Sequence, residues 1–321
     1  MTAILFLSLW AAAPVATIRP AVRTEPTTAD VDDPAIWVNK SNPAASLVLG
    51  TRKAAAPEGA VVVYGLDGGI RQIFANLDRP NNIDIEGDLA VVTERNRGQI
   101  RAFQVSDAGL RDLGGVPVFE GETGANALPM GIAVYRRPRD GALFAIVSRK
   151  SGPSGRYLWQ YRLTDHGGRI TAVRVREFGL FSGGADNEIE AVAVDDAAGH
   201  VYYADEAGGI RKYHADPDRP GAAEEIALFG RDGFRANREG IALLPGVVIC
   251  TDQIAGNSRY LVFSRRAPHA LLRIVEGGAD STDGIEATSA NLGPRFPRGL
   301  VVAMNSSGRN FMFFRAESFL P

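Results

Sequence analysis

The chain has 321 residues and a mass of 34.3 kDa, enough to bury a substantial core in one large domain. It carries 35 Lys and Arg against 37 Asp and Glu, a formal charge of −2, which excludes the global basic field a nucleic-acid binder relies on. The single cysteine, Cys250, excludes an intramolecular disulfide, a thiolate zinc site and a Cys-X-X-Cys redox pair.

Taken in chain order, the first element is an apolar stretch from Ala3 to Ala16, too short to span a bilayer and ending in small residues. It reads as an export signal over residues 1–16, with residues 17–321 forming one domain that is secreted or periplasmic. No later segment reaches 18 uninterrupted apolar residues, and the nearest, Ile241 to Thr251, is broken by Pro245 and Gly246. The expectation is therefore a soluble protein with no membrane and no nucleic-acid partner.

The rest of the chain is short apolar runs between turn signals, such as Ser46–Gly50, Gly59–Gly65, Asp88–Thr93, Ala142–Val147 and His200–Ala204, with almost no helical periodicity. A polar or acidic residue precedes an apolar strand start at Asp33, Asn82, Met130, Glu190, Glu239 and Asp283, about every fifty residues. Six such starts, each followed by about three more strands, predict an all-β chain folded as a six-bladed β-propeller of four-stranded antiparallel blades. Residues 17–30 are expected to supply the strand that closes the ring against the last blade, around Phe311-Met312-Phe313-Phe314.

In a propeller the innermost strands all begin at one end of the central channel, so residues at the six starts become neighbours. They include Asp32, Asp33, Asp84, Glu188, Glu190, Glu239 and Asp283. Carboxylates crowded without counter-charge raise one another's pKa, and a cation relieves this. The available ligands are hard oxygens, including the Gln253 amide, with no Cys or His beside them, which selects Ca²⁺ over zinc or copper. Basic residues recur in a matching phase at Lys53, Arg95 and Lys150, and acids take that place later, at Asp205-Glu206. Metal and side-chain cations facing one pocket suit an oxyanion such as phosphate.

The familiar phosphatase nucleophiles are missing. Gly256 stands six positions after Cys250, where a cysteine phosphatase has Arg, and there is no Arg-His-Gly, no Gly-x-Ser-x-Gly and no P-loop. The four histidines, His166, His200, His214 and His269, lie in turn-like polar contexts and read as surface residues.

These segments resemble the β-propeller phytases, the calcium-dependent alkaline phytase family. The resemblance runs from about Asp32 to Asn305 through Asp32-Asp33-Pro34-Ala35-Ile36-Trp37, Gly50-Thr51-Arg52-Lys53, Asn81-Asn82-Ile83-Asp84, Glu190-Ala191-Val192, Tyr203-Ala204-Asp205-Glu206, Glu239-Gly240 and Thr282-Asp283-Gly284-Ile285. It implies a phosphoric monoester hydrolase of the 3-phytase type, binding several Ca²⁺ ions and cleaving myo-inositol hexakisphosphate by attack of metal-activated water. By position, Asp33, Glu190, Glu206, Glu239, Gln253 and Asp283 resemble the calcium ligands, with Asp32 adjoining. Lys53, Arg95 and Lys150 resemble the side chains that grip the phosphate, and with Glu190 they are the implied catalytic set. The resemblance also implies a self-sufficient monomer. The chain departs from the family pattern at Ala54, Met130 and Asn237, and by Ile254 and Ala255 after Gln253. The alternatives are a six-bladed calcium lactonase or esterase, for which the three cations are superfluous, and a non-catalytic protein-binding propeller.

Overall fold

A computed structural model describes residues 13–321. Residues 1–12, most of the expected export signal, lie outside the described residues. The rest forms six sheets in a ring, five of four antiparallel strands and one of four with a fifth at its edge, running from channel to rim. The innermost strands are Val31–Trp37, Pro80–Glu86, Pro129–Arg136, Val192–Asp195, Arg238–Leu244 and Ile285–Thr288. The six predicted starts each lie at or within two residues of one of them. Blade 1 continues outward through Leu47–Arg52, Gly59–Gly65 and Ile70–Leu77.

The hydrophobic core is divided into six clusters, one between each pair of neighbouring blades. Successive side chains of a strand point to opposite faces, so a strand buried on both faces reads as a continuous apolar run rather than an alternation. Ala60-Val61-Val62-Val63-Tyr64 shows this: Val61 and Val63 pack toward blade 2, while Ala60, Val62 and Tyr64 pack toward blade 6.

The ring closes as expected, through Val22–Arg23, which pairs antiparallel with Asn310–Arg315 as the outermost strand of blade 6. Val15–Thr17 adds a second tie, a parallel fifth strand on the outer edge of blade 5 beside Leu271–Glu276. The histidines need correction. Only His166 is exposed, whereas His269 is buried and stacks on Phe229 at 4.3 Å, and His200 stacks on His214 at 5.6 Å. Their aromatic faces cover apolar surface that a purely polar turn residue would leave wet.

Candidate active site

Two local features build one pole of the channel. The first is a β-bulge at the start of four innermost strands, seen as register shifts between Val31 and Pro34, Pro80 and Ile83, Pro129 and Ile132, and Arg238 and Ile241. An extra residue in one strand frees side chains from the strict two-sided alternation and re-aims them. Hydroxyls on the second strand occupy the gap: Thr51 Oγ1 accepts from Asp33 N and donates to Asn81 O at 2.6 Å, and Thr93 Oγ1 accepts from Asn82 N and donates to Met130 O at 2.6 Å. These bonds stitch blade 1 to blade 2 and blade 2 to blade 3. Ser148 Oγ accepts from Gly131 N in the same way, and Gly131 lies so close to the Glu190 carbonyl that a Cβ there has no room.

The second feature is the residue that follows the second strand of each blade. In chain order these are Lys53, Arg95, Lys150, Glu206, Gln253 and Ser306, one equivalent position repeated six times around the pole. Blades 1–3 therefore contribute cations, blade 4 a carboxylate and blade 5 a neutral amide.

The two sets meet. Lys53 Nζ lies 2.6 Å from Asp32 Oδ1 and 3.3 Å from Asp283 Oδ2, joining blade 1 to blade 6. Lys150 Nζ lies 2.5 Å from Glu188 Oε1. Arg95 donates to the Asn81 carboxamide oxygen, and the same amide donates to Glu190. Gln253 donates to Asp283, and Asn237 Nδ2 donates to Glu206 Oε2 at 3.4 Å. Arg238 NH1 anchors the Glu206 carbonyl at 2.6 Å. The cations differ in depth: Arg95 is buried, Lys53 is largely covered, and Lys150 stands 44% exposed at the rim.

Burial raises the acids of the pole, and their repulsion of one another adds to the rise. Burial pushes Asp32 up to about 8, with Asp283 adding to the rise and Lys53 opposing it. Burial and the charge of Asp32 bring Glu190 to about 7, and burial with Glu188 brings Glu206 to about 8. Glu239 is driven well above its ordinary value by burial and by Glu190, Glu206 and Asp283, and burial also raises Asp283. Burial alone would lower Lys53, but Asp32, Glu190 and Asp283 outweigh it and hold the ammonium charged. Arg95 is lowered by burial.

Asp33 behaves differently from its neighbour. Its Oδ2 accepts from Ile83 N of blade 2 at 3.0 Å, and burial raises its pKa well above the ordinary value. Asp84, expected at the pole, repeats that interaction one blade on, its Oδ2 accepting from Val134 N at 2.6 Å. It lines the far part of the channel, a cavity of about 610 Å³ shared with Asp33, Glu86, Asp196 and Glu286. Both carboxylates serve partners fifty residues away in sequence, one blade further round.

The donor chemistry at the pole fits a hard divalent cation. Asp32 Oδ2 and Glu188 Oε2 are buried acceptors with no hydrogen-bond partner, and the acids gathered there offer only oxygen to an ion. Among the described residues no three acids converge in ready-made ligand geometry, because Lys53, Asn81 and Gln253 are interleaved with them. The reading of residue types alone missed Asn81 as part of the site. Its signal was the doubled Asn81-Asn82 in the phase of Asp32-Asp33, where the bulge turns both residues inward.

A six-bladed propeller whose mouth sets carboxylates against Lys and Arg is of the class that handles phosphate esters. The family model described as Phytase matches residues 11–311. A 3-phytase from Bacillus subtilis strain 168 is 28% identical over 300 residues, covering 85% of this chain and 74% of the relative. Two solved structures share the fold. One, described as a 6-phosphogluconolactonase from Bacteroides fragilis, has a TM-score of 0.58 and 13% identity, covering 89% of this chain and 81% of that one. The other is the WD40 β-propeller domain of Doa1, with a TM-score of 0.55 and 10% identity, covering 94% and 99%. The chain belongs to the phytase family and is a phosphate-ester hydrolase.

Proposed function

We propose that this protein is a calcium-dependent 3-phytase that removes phosphate from myo-inositol hexakisphosphate at the acid-and-cation pole. The observation that carries the reading is the opposition of Lys53, Arg95 and Lys150 on blades 1–3 to Glu188, Glu190, Glu206, Glu239 and Asp283 on blades 4–6. A neutral lactone has no use for that cationic arc.

Asp32, Glu188, Glu190, Glu206, Glu239 and Asp283 would hold calcium, with Gln253 adding a neutral oxygen. Asp33 would contribute through the oxygen that Ile83 leaves free. Bound calcium supplies water activation and charge stabilisation at the phosphoryl oxygens. The chain's own residues do the rest. Arg95 presents a planar guanidinium suited to two phosphoryl oxygens, and its tie to Asn81 fixes the plane. Lys53, held between Asp32 and Asp283, places a charge at the floor of the pole. Lys150 captures incoming phosphate from the rim and screens the Glu188 carboxylate from it. Together they stabilise charge on oxygens that are equatorial in the transition state.

Phosphate release from phytate by the purified chain, with added Ca²⁺ and after chelation, tests the proposal. Release that survives chelation removes calcium from the mechanism, and no release under either condition removes the activity. The apolar N-terminal segment supports export to the periplasm or medium, with cleavage ahead of Pro14 so that the strand Val15–Thr17 stays on blade 5, which the mass of the mature chain recovered from each fraction would check.

A further inference from the structure

We infer that Asn81 is a positioning residue that couples the cationic half of the pole to its carboxylate half, so that Arg95 and Glu190 are held as one unit. The inference rests on the phytase reading and adds a residue to it. Asn81 is fully buried, and its carboxamide is used at both ends. The oxygen accepts from Arg95 NH2, and the nitrogen donates to Glu190 Oε1 and to Asn82 Oδ1. Blade 2 thus reaches Glu190, 109 positions later in the chain at the start of blade 4, through one side chain.

The local structure explains why Asn81 can do this. It follows Pro80 inside the bulge of the innermost strand, and its carbonyl is clamped by Thr51 Oγ1 at 2.6 Å. The next residue is clamped through its amide by Thr93 Oγ1 at 3.0 Å. With the backbone fixed on both sides, the side chain has little freedom to turn away. Only an amide satisfies both neighbours: a carboxylate would repel Glu190, and a cation would repel Arg95. Arg95 needs the support, because its Nε is buried without a partner and Arg79 repels its charge.

The test is a double-mutant cycle on the full chain with Ca²⁺ and phytate, using Asn81→Ala, Arg95→Ala and the pair. Coupling predicts that Asn81→Ala lowers kcat/KM about tenfold or more, mainly through KM, the scale of losing a charge-assisted hydrogen bond. In the Arg95→Ala background the same change should cost about threefold or less. Equal losses in both backgrounds, or an unchanged KM with only a lower melting temperature, overturn the inference. A second readout needs no activity: Asn81→Ala should shift the Ca²⁺ concentration that half-raises the melting temperature, through Glu190, and an unmoved midpoint refutes the link to the carboxylates. If Asn81→Ala does not fold, Asn81→Ser replaces it in the same cycle, with the same outcomes deciding. Absence of phytate hydrolysis by the unaltered chain would sink the functional reading, while the calcium-melting comparison would still judge the coupling.

Discussion

Raising the pH of the calcium-free protein from about 5 to about 8 should destabilise it, and adding Ca²⁺ at the higher pH should restore what was lost. Asp32 rises from an ordinary 3.8 to about 8, Glu190 from 4.5 to about 7 and Glu206 from 4.5 to about 8. A carboxyl with a raised folded-state value binds more protons folded than unfolded across that interval. Stability therefore falls as pH rises from the unfolded value to the folded one, and is flat beyond it. At about 1.4 kcal/mol per unit, Asp32 alone contributes on the order of 5 kcal/mol across the full window. The three shifts are not additive, because the acids act on one another. For a chain of this size a loss of that order lowers the melting temperature by roughly 10 °C. Differential scanning calorimetry in chelator at several pH values, repeated with calcium, measures it. A melting temperature that is flat or rises through this interval, or a calcium effect no larger at about pH 8 than at about pH 5, would refute the reasoning.

Three further outcomes are expected. Lys53→Ala removes the ammonium that opposes the rise of Asp32, so without calcium the loss in denaturant unfolding should be larger above about pH 8, where the buried acid must ionise unpaired, than at about pH 5, besides impairing phosphate release. Lys150→Ala breaks a rim pair whose lysine is 44% exposed, worth about 1 kcal/mol, so its melting temperature should change little while KM for phytate rises about tenfold. Deleting residues up to Thr24 removes both ties that close the ring, including the main-chain bonds from Ala21 N to Phe313 O at 2.7 Å and from Thr24 N to Phe311 O at 2.9 Å. Circular dichroism melting should show a loss on the order of 5 kcal/mol or more, with cooperativity reduced.

Much of the architecture is legible without coordinates, because a propeller repeats one supersecondary unit and the repeat is written in turn chemistry. The starts at Asp33, Asn82, Met130, Glu190, Glu239 and Asp283 mark six channel strands, and Lys53, Arg95 and Lys150 share a phase that the structure turns into a ring position. Residue types alone do not separate Asp32 from Asp33. One gains a lysine and keeps an oxygen free, whereas the other binds the Ile83 amide. Nor do they separate Asp84, which supports the backbone of blade 3, from the acids at the pole.

Period and polarity in the chain determined the blade number, the strand order, the pole at which acids and bases collect, and the oxygen-rich character of its side chains. These depend on spacing along one dimension, which a regular repeat converts directly into angle around an axis. The tertiary structure alone decided which atoms meet: Lys53 with Asp283 across 230 positions, Asn81 between Arg95 and Glu190, and Arg238 against the Glu206 carbonyl. A one-residue bulge re-aims each following side chain, and ring closure joins the ends of the chain. Neither event leaves a local trace strong enough to assign a hydrogen-bond partner.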